Sequence, residues 1–469
     1  MIRPENINGF YFLGIGGIGM SALARYFRRK GKAVAGYDRT RTPLTDRLEA
    51  EGIPVHYTDD PGQIPPDFQR EEGVMVVYTP AVPKGLKELQ FFRDRGMEPV
   101  KRAELLGSIS DDYPSVAVAG THGKTSVSTL LSHILSKTGQ GCLAFLGGIS
   151  KNHGSNLVMT GTQPVCVLEA DEFDRSFLHL NPGNAIVTSM DADHLDIYGD
   201  HSTLKAAFAE FIGKIKPGGR LLIKKSLGEP KAGDLKIYTY SAIDNASFFA
   251  ENVRREEGRL IFDLVTPGGR IGNLSLGLPG MASLENAVAS CSMAWLLGCP
   301  QETIRKALKE FKGVRRRFDL QFQKGNIVYI DDYAHHPEEL KACIRAVRET
   351  YPGRKITGIF QPHLYSRTRD FAGGFAESLD LLDTCILLDI YPAREEPVPG
   401  VNADIIRNRM SAPRKVIRCR KEEITGELEK LSPEILLTLG AGDIDTQVES
   451  LKEWLEKRYK NEIHGRDLA

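Results

Sequence analysis

One short string constrains this chain more than any other. Gly120-Thr121-His122-Gly123-Lys124-Thr125 follows the apolar run Val116-Ala117-Val118-Ala119. An apolar run, a glycine turn and a Lys-Thr start to an amphipathic stretch (Val127, Leu130, Leu131, Ile134, Leu135) demand a strand, a tight loop and a helix in succession. Backbone N–H groups of such a loop cradle phosphates, the lysine reaches the terminal phosphates, and the threonine hydroxyl can hold Mg²⁺. The general form, G-x-x-x-x-G-K-[ST], has glycine where this chain has Val118, so the loop is a compressed version.

Two acidic strings are expected to share its surroundings. Glu169-Ala170-Asp171-Glu172 follows an apolar run at 165–168, and Asp191-Ala192-Asp193-His194 follows one at 185–187. In an open parallel sheet the carboxyl ends of the strands face one crevice. Alone, Glu169 reads as a solvated carboxylate and His194 as a structural hydrogen-bonder. Together, beside a phosphate loop, a hard oxygen ligand and an imidazole suit Mg²⁺ bound mostly through water and phosphate. Thr125, Glu169 and His194 are therefore the candidate metal residues.

A second glycine loop lies near the start. Gly14-Ile15-Gly16-Gly17-Ile18-Gly19 follows a strand expected at 10–13 and opens a helix expected at 20–30. It satisfies G-x-G-x-x-G in the required context, and Asp38 ends the next strand, where a ribose-binding carboxylate could sit. Taken alone this suggests NAD and an oxidoreductase, although any diphosphate suits such a loop.

The 469 residues allow about three domains of ~150 residues each. Lys+Arg and Asp+Glu both number 61, which argues against a nucleic-acid groove or an anionic membrane as partner. No apolar run approaches the ~18 residues of a membrane span. Met1 to Glu5 lacks the apolar core of a signal peptide, and the seven cysteines are scattered, so reduced thiols and a cytoplasmic location are expected. Alternating strand and helix patterns divide the chain into three α/β domains at 1–108, 109–313 and 314–469, with the polar stretch 108–114 as a linker. The first and third read as Rossmann-like. The second reads as phosphate-loop ATPase-like with a mostly parallel sheet and an antiparallel addition at 236–278.

The third domain carries its own polar strings. Asp331-Asp332-Tyr333-Ala334-His335-His336-Pro337 and Gln361-Pro362-His363-Leu364-Tyr365-Ser366-Arg367-Thr368-Arg369-Asp370 each follow a strand, and Arg315-Arg316-Arg317-Phe318 stands at the entry. Arginine forks grip carboxylate or phosphate with two parallel hydrogen bonds.

In order and wording these strings resemble the Mur ligases of peptidoglycan synthesis, over nearly the whole chain. The resemblance implies an ATP-dependent ligase that joins L-alanine to the carboxylate of UDP-N-acetylmuramate through an acyl phosphate. A murein peptide ligase is the nearest rival, which the string at 361–370 argues against. On this reading Gly14, Gly16, Gly17 and Gly19 bind the UDP pyrophosphate and not NAD. Gly120, Thr121, His122, Gly123, Lys124, Thr125, Ser126 and Asn286 bind ATP with Mg²⁺, assisted by Arg317 on phosphate and Asp332 on ribose. His335, His363, Arg367 and Arg369 take the amino acid. Lys124, Glu169, His194 and Arg317 carry the phosphoryl transfer, with His335 as candidate base. A monomer or weak homodimer is implied. The family usually has a His-Asn-x-x-Asn string against the adenine; Ala282-Ser283-Leu284-Glu285-Asn286 keeps only its last asparagine, so weak ATP binding and relaxed discrimination against GTP are expected. Leu364 stands where many members carry arginine.

Overall fold

The computed structural model describes residues 4–191, 195–231, 233–256, 258–393, 395–411 and 415–466, with the side chains of 195, 196 and 461–466 excepted. Among them, three sheets organise the chain. The first has five strands, all parallel, in the order Val55–His56, Ala33–Tyr37, Gly9–Leu13, Val74–Tyr78, Val100–Lys101. The order reverses at Gly9–Leu13, so the glycine loop that follows this strand sits at the switch point where open α/β sheets bind ligands. Five consecutive buried residues make that strand, because helices cover both its faces.

The second sheet has ten strands. Its centre is Ser115–Ala119, flanked on one side by Val165–Ala170 and on the other by Asn184–Val187, all three parallel. The small residues of Ser115–Ala119 are buried throughout. The expected antiparallel addition is present in Phe248–Glu256, Arg259–Thr266 and Gly269–Leu276, whereas Lys236–Ser241 pairs parallel with its neighbours. An antiparallel pair absent from the sequence reading, Cys142–Ser150 with Ser155–Met159, closes the other edge.

A polar strut ties the first sheet's leading helix to that hairpin. Arg25, 3% exposed, donates from Nε to both carboxylate oxygens of Glu51 and from Nη1 to Asn156 Oδ1 at 2.6 Å. The Asn156 amide donates in turn to Ile18 O and to Ser21 Oγ. The stretch 108–114 is not an open linker: the helix Arg102–Asp111 runs into it, with Ile109 and Ser110 buried. Its polar serines satisfy their hydroxyls on the helix's own carbonyls, Ser108 on Leu105 and Ser110 on Gly107, which lets them occupy a packed surface.

The third sheet has six strands, with Asp319–Lys324 antiparallel at one edge and Ile327–Asp332, Ile435–Leu439, Ile356–Phe360, Thr384–Leu387 and Lys415–Arg418 parallel. The chain packs as two compact units, 1–277 with 284–312, and 278–283 with 313–469. All seven cysteines are free. Among the described residues no helix is long and apolar enough to cross a membrane.

Candidate active site

In the first unit the phosphate loop is built by backbone that only glycine tolerates. Gly120 has φ +140°, and a Cβ there would lie 2.1 Å from Thr188 Oγ1. Gly123, at φ 84°, caps the helix Lys124–Ser136 and approaches Asn286 so closely that a Cβ would be 2.9 Å from its Oδ1. Thr188 and Ser189, just beyond the strand Asn184–Val187, brace the loop. Ser189 Oγ accepts the His122 N–H at 2.7 Å and lies 3.0 Å from the Thr121 hydroxyl, while the Thr188 hydroxyl donates to Ala119 O at 3.1 Å. The first turn of the helix from Lys124 presents its amides without intrahelical partners, as helix starts do, in the orientation that attracts phosphate.

The strand order brings the acidic string alongside. Glu169, near the end of Val165–Ala170, accepts the Thr125 hydroxyl on Oε1 and the Gly147 N–H on Oε2, both at 2.9 Å. Gly147 is a glycine because a Cβ would stand 2.4 Å from both Glu169 oxygens. Lys124 Nζ lies 2.7 Å from Gly120 O and 2.7 and 3.0 Å from the two oxygens of Glu172. Burial works to lower the Lys124 pKa, but Glu172, Asp171 and Glu169 outweigh it and raise it, so Lys124 is an ammonium. Asp191 is exposed, with its carboxylate 3.8 Å from His122 Nε2. His194 lies outside the described residues, as do Asp193 and the side chain of Asp196. A threonine hydroxyl and a carboxylate beside a phosphate loop are hard oxygen donors, and they fit Mg²⁺.

At the first loop, Gly14 has φ 84°, and Gly16 donates its N–H to Asp38 Oδ2 at 2.8 Å. Asp38 is thus tied to the loop itself. A Cβ at Gly19 would lie 2.8 Å from Arg102 Nη1, which places a guanidinium at the helix start. Gly17 precedes that helix, Ile18–Arg29, as its N-cap.

In the second unit the polar strings meet beyond the strand ends. Asp332 accepts the N–H groups of Phe318 and Ala334 at 2.6 and 2.8 Å. Arg316 is committed to structure: its Nε lies 3.4 Å from the buried Asp331, and its guanidinium also donates to Gly440 O. Arg317 is a third exposed, over the Tyr333 ring and 3.9 Å from Glu339. His335 Nδ1 lies 3.0 Å from Tyr333 O, which can only accept, so Nε2 carries the lone pair. Burial pushes the His335 pKa down to about 4, with Arg367 and Arg317 helping and Glu339 opposing. His335 is therefore neutral at pH 7. The His335 and His363 rings are 6.1 Å apart, and His363 stacks on Tyr391. Leu364 stands at φ 67°, a strained value for a leucine, and starts the helix Tyr365–Asp370. Arg369 makes an exposed ion pair with Asp370 at 2.8 Å. Arg367 and Arg369 thus part company.

Gly147, Thr188, Ser189 and Arg102 escape a motif reading. A residue two strands distant in space but tens of residues away in sequence leaves no spacing signal; glycine pairs such as Gly147-Gly148 inside an apolar run are the one available hint.

Family models match three successive stretches: Mur ligase family, catalytic domain, over 9–114; Mur ligase middle domain over 118–294; and Mur ligase, glutamate ligase domain, over 316–442. The chain is 50% identical over 458 residues to a UDP-N-acetylmuramate–L-alanine ligase of Parabacteroides distasonis, covering 97% of this chain and 99% of the relative. It is 49% identical over 452 residues to the ligase of the same name from Christiangramia forsetii, covering 96% and 98%. The crystal structure of UDP-N-acetylmuramate-alanine ligase from Thermotoga maritima superposes with a TM-score of 0.80 at 27% identity, covering 97% of this chain and 99% of that one. A murein peptide ligase from Psychrobacter arcticus shares the fold, with a TM-score of 0.70 at 22% identity, covering 95% and 98%.

Proposed function

The chain belongs to the Mur ligase family, and we propose that it joins L-alanine to the lactyl carboxylate of UDP-N-acetylmuramate at the expense of ATP, in the synthesis of peptidoglycan precursors. The observation that carries this reading is the phosphate loop with Lys124, Thr125 and Glu169 held at the ends of adjacent parallel strands. A carboxylate is a poor acylating agent. Transfer of the γ-phosphoryl group makes an acyl phosphate, the alanine amine attacks its carbonyl, and the tetrahedral adduct expels phosphate.

Phosphoryl transfer asks for positioning and charge neutralisation more than covalent chemistry. Lys124 and the amides of residues 123–126 take the phosphates, and Asn286 lies beside them for the nucleoside. Gly14, Gly16, Gly17 and Gly19 admit the UDP pyrophosphate to close backbone contact. Thr125, Glu169 and His194 would hold Mg²⁺, which would neutralise charge on the phosphates. Arg317 serves phosphate and Asp332 the ribose. His363 and Arg367 receive the amino acid, with Arg369 at the periphery. His335 Nε2, which carries a lone pair, is the candidate base for the proton that the alanine amine loses as it bonds to the carbonyl. The three domains at 1–108, 109–313 and 314–469 divide sugar nucleotide, ATP and amino acid between them, and the enzyme works in the cytoplasm as a monomer or weak homodimer.

The deciding experiment is phosphate release by the purified protein with ATP, Mg²⁺ and UDP-N-acetylmuramate, with and without L-alanine, glycine or L-serine. Release that depends on both the sugar nucleotide and L-alanine is expected. Release that needs a peptide in place of the amino acid would instead favour a peptide ligase.

A further inference from the structure

Lys124 has three N–H donors and three acceptors within reach: Gly120 O and both oxygens of Glu172. The Glu172 side chain is completely buried and that of Lys124 is 13% exposed, so little water mediates between them. The Glu172 backbone is fixed as well, its carbonyl accepting the Tyr198 hydroxyl at 2.6 Å. A phosphate seated on the loop that engages Lys124 takes the place of one of these three acceptors, two of which are oxygens of Glu172. Removing an anion from beside a buried ammonium is costly unless another replaces it. Glu172 therefore offers Lys124 an alternative partner when a phosphate departs.

Resting on the nucleotide reading of the 120–125 loop, we propose that Glu172 is a positioning residue that competes with nucleotide phosphates for Lys124. It thereby weakens retention of ADP after each turnover. It acts through the lysine and touches no reacting atom.

Glu172→Gln keeps the side-chain shape and one acceptor for Lys124 but removes the competing charge. Titration calorimetry with Mg²⁺ and either ADP or a non-hydrolysable imido analogue of ATP should show binding at least fivefold tighter than in the parent. A purely structural residue would not tighten binding when replaced. In a Lys124→Met background, where there is no ammonium to compete for, the gain should fall below twofold. Unchanged or weaker binding in Glu172→Gln overturns the proposal. An equal gain with and without Lys124 also overturns it, because the carboxylate would then be repelling phosphate directly. Should the glutamine variant not fold, Glu172→Asp gives the same reading: one methylene shorter, it loses the two-oxygen grip, and at least twofold tighter binding is expected. If the parent binds neither nucleotide, it is the nucleotide reading that fails.

Discussion

At the scale of single residues, Gly147 shows how a site depends on what a side chain would obstruct. Its N–H orients Glu169, and a methyl group there would lie 2.4 Å from both carboxylate oxygens, far inside contact distance. Glu169 must then swing away from the Thr125 hydroxyl. Gly147→Ala is expected to lower kcat at least a hundredfold, about 2.7 kcal/mol of barrier, while the KM for UDP-N-acetylmuramate stays within twofold. Steady-state kinetics at saturating Mg²⁺ checks this, and a kcat within threefold of the parent would remove Glu169 from the reaction. Arg367 supports a second test. Its cation acts on His335, whereas Arg369 is spent on Asp370. Alanine offers little beyond its two charged ends, and lysine cannot reproduce the two-pronged grip of a guanidinium on a carboxylate. Arg367→Lys should raise the KM for L-alanine about tenfold, on the order of 1.4 kcal/mol, with Arg369→Lys changing it less than threefold; the reverse ranking would exchange their roles. Lys124, Thr125 and Glu169 were legible in the sequence because glycine spacing and strand ends announce them. Gly147 was not, nor was the pairing of Glu172 with Lys124, because both come from which strands lie side by side.

At the scale of elements, the helix Lys124–Ser136 does more than present phosphate-binding amides. It buries His133, 2% exposed, against His153 and Phe311. Burial, with His153 and Lys137 adding to it, pushes the His133 pKa from 6.5 down to about 4. The unfolded imidazole then takes up a proton before the folded one. Stability from this group is full above pH 6.5 and declines as pH falls towards 4, by an amount on the order of 3 kcal/mol. His133→Leu should flatten the loss of melting temperature between pH 6.5 and 4, leaving the part that His335, shifted the same way, contributes. Melting curves of parent and variant across that range check it; parallel pH profiles would contradict the assignment. Most strands of the three sheets were legible as apolar runs. The hairpin Cys142–Ser150 with Ser155–Met159 was not, since Gly147-Gly148 and His153-Gly154 break its apolar pattern, and a helix hid in the polar stretch at 108–111 because its serines bond back to their own carbonyls.

At the scale of the whole molecule, the departure at Ala282 and Ser283 asks how far a nucleotide can be held by its phosphates. Both residues lie on the first turn of the helix Met281–Leu296, and Asn286, a turn further along, is the one that touches the phosphate loop. One or two lost hydrogen bonds, each about 0.5–1.5 kcal/mol, predict an elevated KM for ATP and weak preference over GTP. The double replacement Ala282→His and Ser283→Asn should lower the KM for ATP several-fold and leave that for GTP unchanged; equal effects on both nucleotides would show that these positions do not read the base. The strut of Arg25, Glu51 and Asn156 has a consequence of another kind, for how such enzymes can be recombined. A buried arginine that donates a hydrogen bond across the sheet boundary makes the seam between residues 1–114 and the rest a matched pair. A chimera whose foreign first segment lacks an arginine at this place leaves Asn156 Oδ1 without its donor, so the portable module in this protein is the first two sheets together.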